Sequence, residues 1–99
     1  MSTATTIELV ARTNGQVIYV TSWDVEVAAA DTITLEYGTG TNCATAPTPI
    51  TGPYNFLAGG GLTKGTGLGP VLIVPSGKAL CIVTSAAVQA SGSVSYAQF

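Results

Sequence analysis

Short segments in which apolar and polar residues alternate make up much of this chain. The pattern is clearest where Trp23, Val25 and Val27 alternate with two acidic residues. Successive side chains of a β-strand point to opposite faces of the sheet, so this alternation is typical of a strand with one buried face. Helical periodicity is nearly absent. The pattern therefore predicts an all-β fold, either a small antiparallel β-sandwich or a jelly-roll-like barrel, with about seven or eight strands.

Turn residues divide the chain into these expected strands within one β-sandwich domain over residues 1–99. Asn14 and Gly15 both tolerate positive φ and predict a tight turn. The expected strands cover residues 6–12, 17–27, 32–37, 54–58, 71–74, 79–84 and 92–99. We expect residues 1–5 to form a flexible N-terminal arm, because chain ends usually fray.

Two stretches rich in glycine and proline interrupt the strand pattern. They cover residues 38–53 and residues 59–69. We expect both to be loops, and a long loop in a small domain usually has a function. Cys43 lies inside the first, as expected of a loop that needs an anchor.

The two cysteines, Cys43 and Cys81, lie far apart in the sequence, which excludes a CxxC redox or zinc motif. A disulfide between them would stabilise the fold by about 4 kcal/mol. The alternative is two small buried apolar side chains. The N-terminal sequence MSTATTIELV shows no signal peptide, so we expect synthesis in a reducing cytoplasm, where a disulfide would form only later, if the protein's final location is outside a cell. The sequence leaves both states of the cysteines open.

Charged residues are scarce, since the chain has three basic and five acidic residues while hydrophobic residues make up 46%. One interpretation is a neutral surface kept soluble by Thr and Ser hydroxyls. The other, which we favour, is a surface largely covered by other proteins, because large exposed apolar patches are uncommon on free monomers. Three dispersed cations cannot track a phosphate backbone, so we expect no nucleic-acid partner. No apolar run approaches the ~20 residues of a transmembrane helix, so we expect no membrane.

The sequence contains few side chains of the kinds that carry out catalysis. The chain has no histidine, which removes the commonest general base and metal ligand. Asp24 and Glu26 share a strand face, which we interpret as solvated rather than as a calcium or glycosidase site. The glycine-rich stretches lack the GKS or GKT of a phosphate loop. Trp23 and Tyr37 could stack on a sugar but are better explained as core. The sequence thus predicts no catalytic, cofactor-binding or metal-ligating residues, and no enzyme.

Five segments together carry a resemblance: IYVTSWDVEV, EYGTGTNC, TGPYNF, GLGPVLIVPSGKALC and GSVSYAQF. They resemble small proteins encoded among the structural genes of tailed phages, which look like capsid decoration (cement) proteins. The resemblance implies a homo-oligomer, with a trimer favoured, on the outer capsid surface of the virion. It also implies synthesis in the host cytoplasm, the major capsid protein as partner, and stabilisation of the shell.

Two sets of residues are candidates for the contacts of such a protein. The candidate partner-contact residues lie on or beside the two expected loops: Thr39, Thr41, Asn42, Pro49, Tyr54, Phe56, Leu62 and Leu68. The candidate self-interface comes mainly from strands that are apolar on both faces: Ile18, Val20, Leu72, Val74 and Phe99. Those strands could equally be central strands covered on both sides.

An alternative function is a receptor- or carbohydrate-binding module of a phage tail fibre or spike. Such a module requires aromatic residues on loops, and Tyr54 and Phe56 are the only aromatic residues beside one.

Overall fold

The computed structural model describes residues 3–65 and 69–99, and within them the chain folds into two antiparallel sheets packed face to face. The strands are β1 (Thr6–Val10), β2 (Ile18–Val27), β3 (Asp31–Thr39), β4 (Thr45–Pro49), β5 (Tyr54–Phe56), β6 (Gly61–Lys64), β7 (Leu72–Val74), β8 (Ala79–Thr84) and β9 (Ala90–Gln98), with one 3-10 turn at Thr41–Cys43. The all-β prediction is confirmed. The sheets form a sandwich and do not close into a barrel.

Each sheet is organised around one strand that is paired along both edges. In the first sheet, β3 pairs with β8 on one edge and with β4 and β5 in succession on the other, and β1 adds to β8. In the second sheet, β2 pairs with β9 on one edge and with β6 and β7 in succession on the other. The sandwich thus has β1 and β9 as edge strands on one side.

The core lies between the inward faces of β2 and of β3 with β8. The prediction that three residues of β2 face inward is confirmed. Trp23, Val25 and Val27 are buried, while the acidic residues between them are exposed. Val20 also faces inward although it is three residues from Trp23. A register shift in the β2–β9 pairing between Val20 and Ser22 adds the extra residue, as a β-bulge does.

Both expected loops contain a strand that the sequence did not predict. Residues 38–53 include β4, which pairs with the edge of β3. Pro47 and Pro49 are compatible with it because an edge strand leaves one side of its backbone unpaired. Residues 59–69 include β6, which pairs with β2 opposite Trp23 to Glu26.

The first described residues are tied to β8. The Thr84 backbone N–H donates to the Thr5 carbonyl at 3.0 Å, and the Thr84 hydroxyl donates to the Thr3 carbonyl at 2.8 Å. Thr3 and Thr5 therefore extend the contact of β1 with β8. Residues 1 and 2 of the expected N-terminal arm lie outside the described residues.

A buried carboxylate organises the connection between β8 and β9. Asp31 Oδ1 accepts hydrogen bonds from the backbone N–H groups of Ser85 and Ala86, each at 3.0 Å, and from that of Thr32 at 2.7 Å. Asp31 is buried, and its side chain accepts these backbone N–H groups where the chain leaves β8 beside the start of β3. The start of β3 thereby fixes where the chain leaves β8.

Gly92 allows β9 to approach β2 closely. A Cβ atom at this position would collide with the Asp24 carbonyl oxygen and would lie 3.0 Å from the Val25 Cα. Both are backbone atoms of the central strand, so neither can move without shifting β2. A side chain here is therefore incompatible with the observed pairing.

We predict that Gly92→Ala destabilises the protein by roughly 1–3 kcal/mol, because the added methyl forces β9 away from β2. Gly52→Ala is the matched control, since a Cβ at Gly52 has no atom within 4 Å and its φ is not positive. Urea unfolding followed by tryptophan fluorescence measures both. Equal midpoints for the two variants would contradict the close approach.

Candidate functional site

The described residues contain no group of three or more His, Cys, Asp or Glu side chains that could hold a metal ion. No helix in the described part of the chain is long and apolar enough to cross a membrane. The candidate functional features are therefore the two outer faces of the sandwich and the clefts between its sheets.

A disulfide-bonded loop crosses over part of the outer face of the first sheet. Cys81 points outward from β8, and Cys43 lies in the 3-10 turn that crosses over it, with a Cα–Cα distance of 6.4 Å and an S–S bond. Cys43, Ala79 and Cys81 form a second small buried cluster, separate from the main core. We call residues 40–44 the disulfide cover.

Local geometry explains why this loop lies so close to the sheet. Gly38 leaves the space, because a Cβ there would lie 3.1 Å from the Cys43 Cβ. Asn42 and Cys43 both have left-handed φ values, 52° and 57°, which non-glycine residues adopt only when their surroundings impose them. The Glu8 backbone N–H donates to Asn42 Oδ1 at 3.0 Å and ties the cover to β1. The disulfide and this hydrogen bond hold the cover in place.

Two glutamates flank the disulfide on neighbouring strands. Glu8 on β1 and Glu36 on β3 both lie directly opposite Cys81 of β8. Partial burial raises the pKa of the Glu36 carboxyl above its ordinary value. Two carboxyl groups, those of Glu8 and Glu36, therefore lie beside the cover on either side of Cys81.

The candidate partner-contact residues fall into two groups. Thr41, Asn42 and Pro49 are exposed on the disulfide cover and β4, and Thr39 is half-buried at the end of β3. Tyr54, Phe56 and Leu62, in contrast, pack against the main core from β5 and β6. Leu68 lies outside the described residues. Only the first group belongs to one continuous loop and strand.

The candidate self-interface needs a correction. Ile18, Val20 and Val74 are fully buried in the main core, and Leu72 is half-buried against it. Their side chains therefore form the inward face of β2 and β7, and the opposite face of these strands is not covered, so the alternative of strands covered on both sides is not what the structure has either. Phe99 alone is exposed.

The residues that these strands do expose are their odd-numbered neighbours. Tyr19 on β2 lies directly opposite Ile73 of β7 and Ala97 of β9, so the three share the outer face of the second sheet. The Phe99 ring stacks on Tyr19 with ring centroids 4.9 Å apart. We call Tyr19, Ile73, Ala97 and Phe99 the apolar patch. Sequence reasoning missed it because a strand that is apolar on both faces does not show which face is buried.

The other half of this outer face is polar and acidic. Asp24 and Glu26 point outward, and the strands beside them present Ser91, Ser93 and Thr63. The Asp24 carboxylate accepts a hydrogen bond from the Ser93 backbone N–H at 2.7 Å. The outer face of the second sheet is thus divided into an apolar half and an acidic half.

Among the described residues, a cleft opens between the sheets on each side of Trp23. The cleft between the edge strands β1 and β9 has a volume of about 490 Å³ and includes Ile7, Leu9 and Val94 in its lining. The cleft on the opposite side has a volume of about 500 Å³ and is lined by Tyr54, Lys64 and Thr51 among others. Trp23 contributes to both clefts and is itself buried, with its ring centroid 6.0 Å from that of Tyr54.

No protein-family model matches the chain, and no curated protein or solved structure shows significant similarity to it. Function is therefore inferred from the surfaces of the chain together with the resemblance of its sequence segments.

We predict that reducing the Cys43–Cys81 bond lowers the free energy of unfolding by about 4 kcal/mol, because the unfolded chain loses a long covalent loop. The double variant Cys43→Ser/Cys81→Ser should match the reduced protein and keep its far-UV circular dichroism, since the main core does not include either cysteine. Urea unfolding with and without reductant measures the difference. Coincident curves would show that the disulfide cover contributes nothing to stability.

Proposed function

We propose that this chain is a virion structural protein, a capsid decoration (cement) protein that binds the outside of the major capsid shell of a tailed phage and stabilises it. The proposal includes synthesis in the host cytoplasm, assembly on the outer capsid surface as a homo-oligomer, and no enzymatic activity. Support comes from the resemblance of five sequence segments and from the character of the surface.

The exposed apolar side chains carry the proposal. Leu57 is 82% exposed, Phe99 72% and Ile73 55%, in a chain with only eight per cent charged residues. Removing apolar surface from water lowers the free energy by about 25 cal/mol for each Å² that is buried. A surface of this kind is suited to a protein that is covered in its working state.

The disulfide cover and β4 are the proposed contact with the shell. Their exposed residues, such as Thr41, Thr45 and Pro49, are uncharged, and several offer hydroxyl or amide groups for hydrogen bonds. The disulfide and the Asn42 hydrogen bond hold this loop before binding. A loop that is already ordered loses little conformational entropy when it docks, so each contact contributes more to affinity.

We predict that the purified protein rebinds to heads from which it has been stripped and raises their resistance to heat. Thr41→Lys should weaken binding at least about 10-fold, because it places a long charged side chain in the proposed contact. Thr63→Lys is the matched control, since Thr63 is an exposed strand residue on the outer face of the other sheet. Cosedimentation with heads measures the affinity.

Absence of head binding at micromolar concentration would contradict the proposal. Binding that is lost in the Thr63 variant but kept in the Thr41 variant would move the contact to the other face of the sandwich.

The cleft beside Tyr54 favours a second candidate function, a carbohydrate- or receptor-binding module of a tail fibre or spike. It combines aromatic rings with the Lys64 ammonium and the Thr51 hydroxyl, and small-molecule sites pair apolar walls with a few polar groups in this way. We predict for this case that a glycan array gives a signal that Tyr54→Ala abolishes. The control Tyr96→Ala changes an exposed tyrosine that does not line this cleft. A blank array would leave this candidate without support.

A further inference from the structure

The cleft between β1 and β9 lies beside two strands that each have an unpaired edge among the described residues. Its lining is mainly apolar and comes from both sheets, and its volume of about 490 Å³ falls within the range of ligand-binding pockets. We propose that this cleft binds an extended segment of another polypeptide. The segment adds to the edge of β9 as a further strand and places alternate apolar side chains in the cleft.

The edge of β9 lacks the features by which the other edges of the described sandwich avoid an added strand. β9 has nine residues, ASGSVSYAQ, with no proline and no charged side chain. In contrast, β4 contains Pro47 and Pro49, and β5, β6 and β7 have three or four residues each. Short length, proline and charge are the usual protections of edge strands against pairing with another chain. The edge of β9 is therefore open to strand addition.

The edge of β1, on the other side of the cleft, is protected. The register of its pairing with β8 shifts between Glu8 and Val10, as at a β-bulge, which disfavours further pairing. The Glu8 backbone N–H already donates to Asn42 Oδ1 of the disulfide cover. The contribution of β1 to the cleft is therefore apolar, through the side chains of Ile7 and Leu9.

The backbone groups of β9 at the cleft have the orientation that an added strand requires. The Ser93 backbone N–H points towards β2, where it donates to the Asp24 carboxylate at 2.7 Å. Successive N–H groups of a strand point to opposite edges, so those of Gly92 and Val94 point away from β2. Since β2 is the one strand that pairs with β9 in the described part of the chain, an incoming backbone can bond to this outer edge.

The side chains of β9 favour a foreign segment over a second copy of this chain. If the β9 strands of two copies paired, each would offer Gly92 and Val94 to the cleft of the other, and these are too small to fill about 490 Å³. Larger apolar side chains at alternate positions of a foreign segment would fill the cleft and cover Leu9, which is 40% exposed. A small apolar molecule would make no use of the open edge. An extended polypeptide satisfies both the cleft and the edge.

Charge and backbone chemistry restrict the segment further. Asp24 is the only charged residue among the described residues that line the cleft, so an acidic side chain beside it would be repelled. We expect an uncharged or basic segment with no proline in its paired part, since proline has no N–H to donate. This inference goes beyond shell binding and does not depend on it, because the disulfide cover and β4 are not part of the lining.

Selection from a displayed library of random nonapeptides on the immobilised full chain tests the proposal. The expected sequences carry apolar residues at alternate positions and lack proline in the paired part. The strongest binder is then synthesised, and calorimetry measures its affinity. Trp23 is the single tryptophan of the chain and lines the cleft, so binding of a peptide without tryptophan should change its fluorescence.

N-methylation of the selected peptide distinguishes strand addition from apolar contact alone. A methyl group on a backbone nitrogen removes the hydrogen-bond donor at that residue. Two peptides methylated on alternate residues of opposite parity should differ in affinity at least about 10-fold, because only one set of N–H groups faces β9. Equal affinities of the two peptides would overturn the proposal.

Leu9→Lys should weaken peptide binding at least about 10-fold, because it places an ammonium group in the apolar cleft. The fold should persist, since Leu9 is partly exposed on an edge strand. Leu57→Lys is the matched control, because Leu57 is 82% exposed and does not line the cleft. Circular dichroism of each variant verifies its fold.

Failure to select any sequence, selected sequences without alternate apolar residues, or equal binding by the Leu9 and Leu57 variants would overturn the inference. A dimer in light scattering that the peptide dissociates would identify a second copy as the occupant and would also overturn it. A protein that binds the peptide but not phage heads would count against the proposed function alone.

Discussion

The packing of β2 against β3 and β8 is the contact on which the rest of the structure depends. Each of the strands β2 and β3 is hydrogen-bonded along both edges, and every other strand except β1 pairs directly with one of them. The inward residues of β2, from Ile18 to Val27, meet Ile33 and Leu35 of β3 in one apolar layer. A small domain has only one such layer, so its loss would release the edge strands as well. The disulfide adds a second attachment, outside this layer.

The sequence was sufficient to predict burial where a strand has one face in solvent and one face in the core. Trp23, Val25 and Val27 alternate with acids, and their burial followed directly. It was insufficient where pairing is decided by a distant strand. Pro47 and the glycines around Gly61 signal turns locally, yet β4 and β6 exist because β3 and β2 offer them a free edge.

The same limit explains the outcome for the candidate sites. Ile18 and Tyr19 are both apolar, so only the bulge after Val20 and the pairing with β9 determine which of them faces the core. Likewise, the spacing of Cys43 and Cys81 did not show that they meet, because their proximity depends on the 3-10 turn crossing over β8. Charge scarcity, in contrast, was visible in the sequence and has its structural counterpart in exposed residues such as Phe99 and Ile73.

The two outer faces of the sandwich suit different contacts. One carries a rigid, uncharged loop held by a disulfide, and the other carries the apolar patch beside an acidic half. The proposed shell contact uses the face that carries the disulfide cover. The proposed role rests on the character of these surfaces.

The number of copies of this chain in each purified virion tests that role most directly. It can be measured against the major capsid subunit by mass spectrometry with isotope-labelled peptides. The account predicts hundreds of copies in a fixed ratio to the capsid subunit, because the contact would repeat over the symmetric shell. A handful of copies in each particle would instead indicate a tail or fibre component and would contradict it.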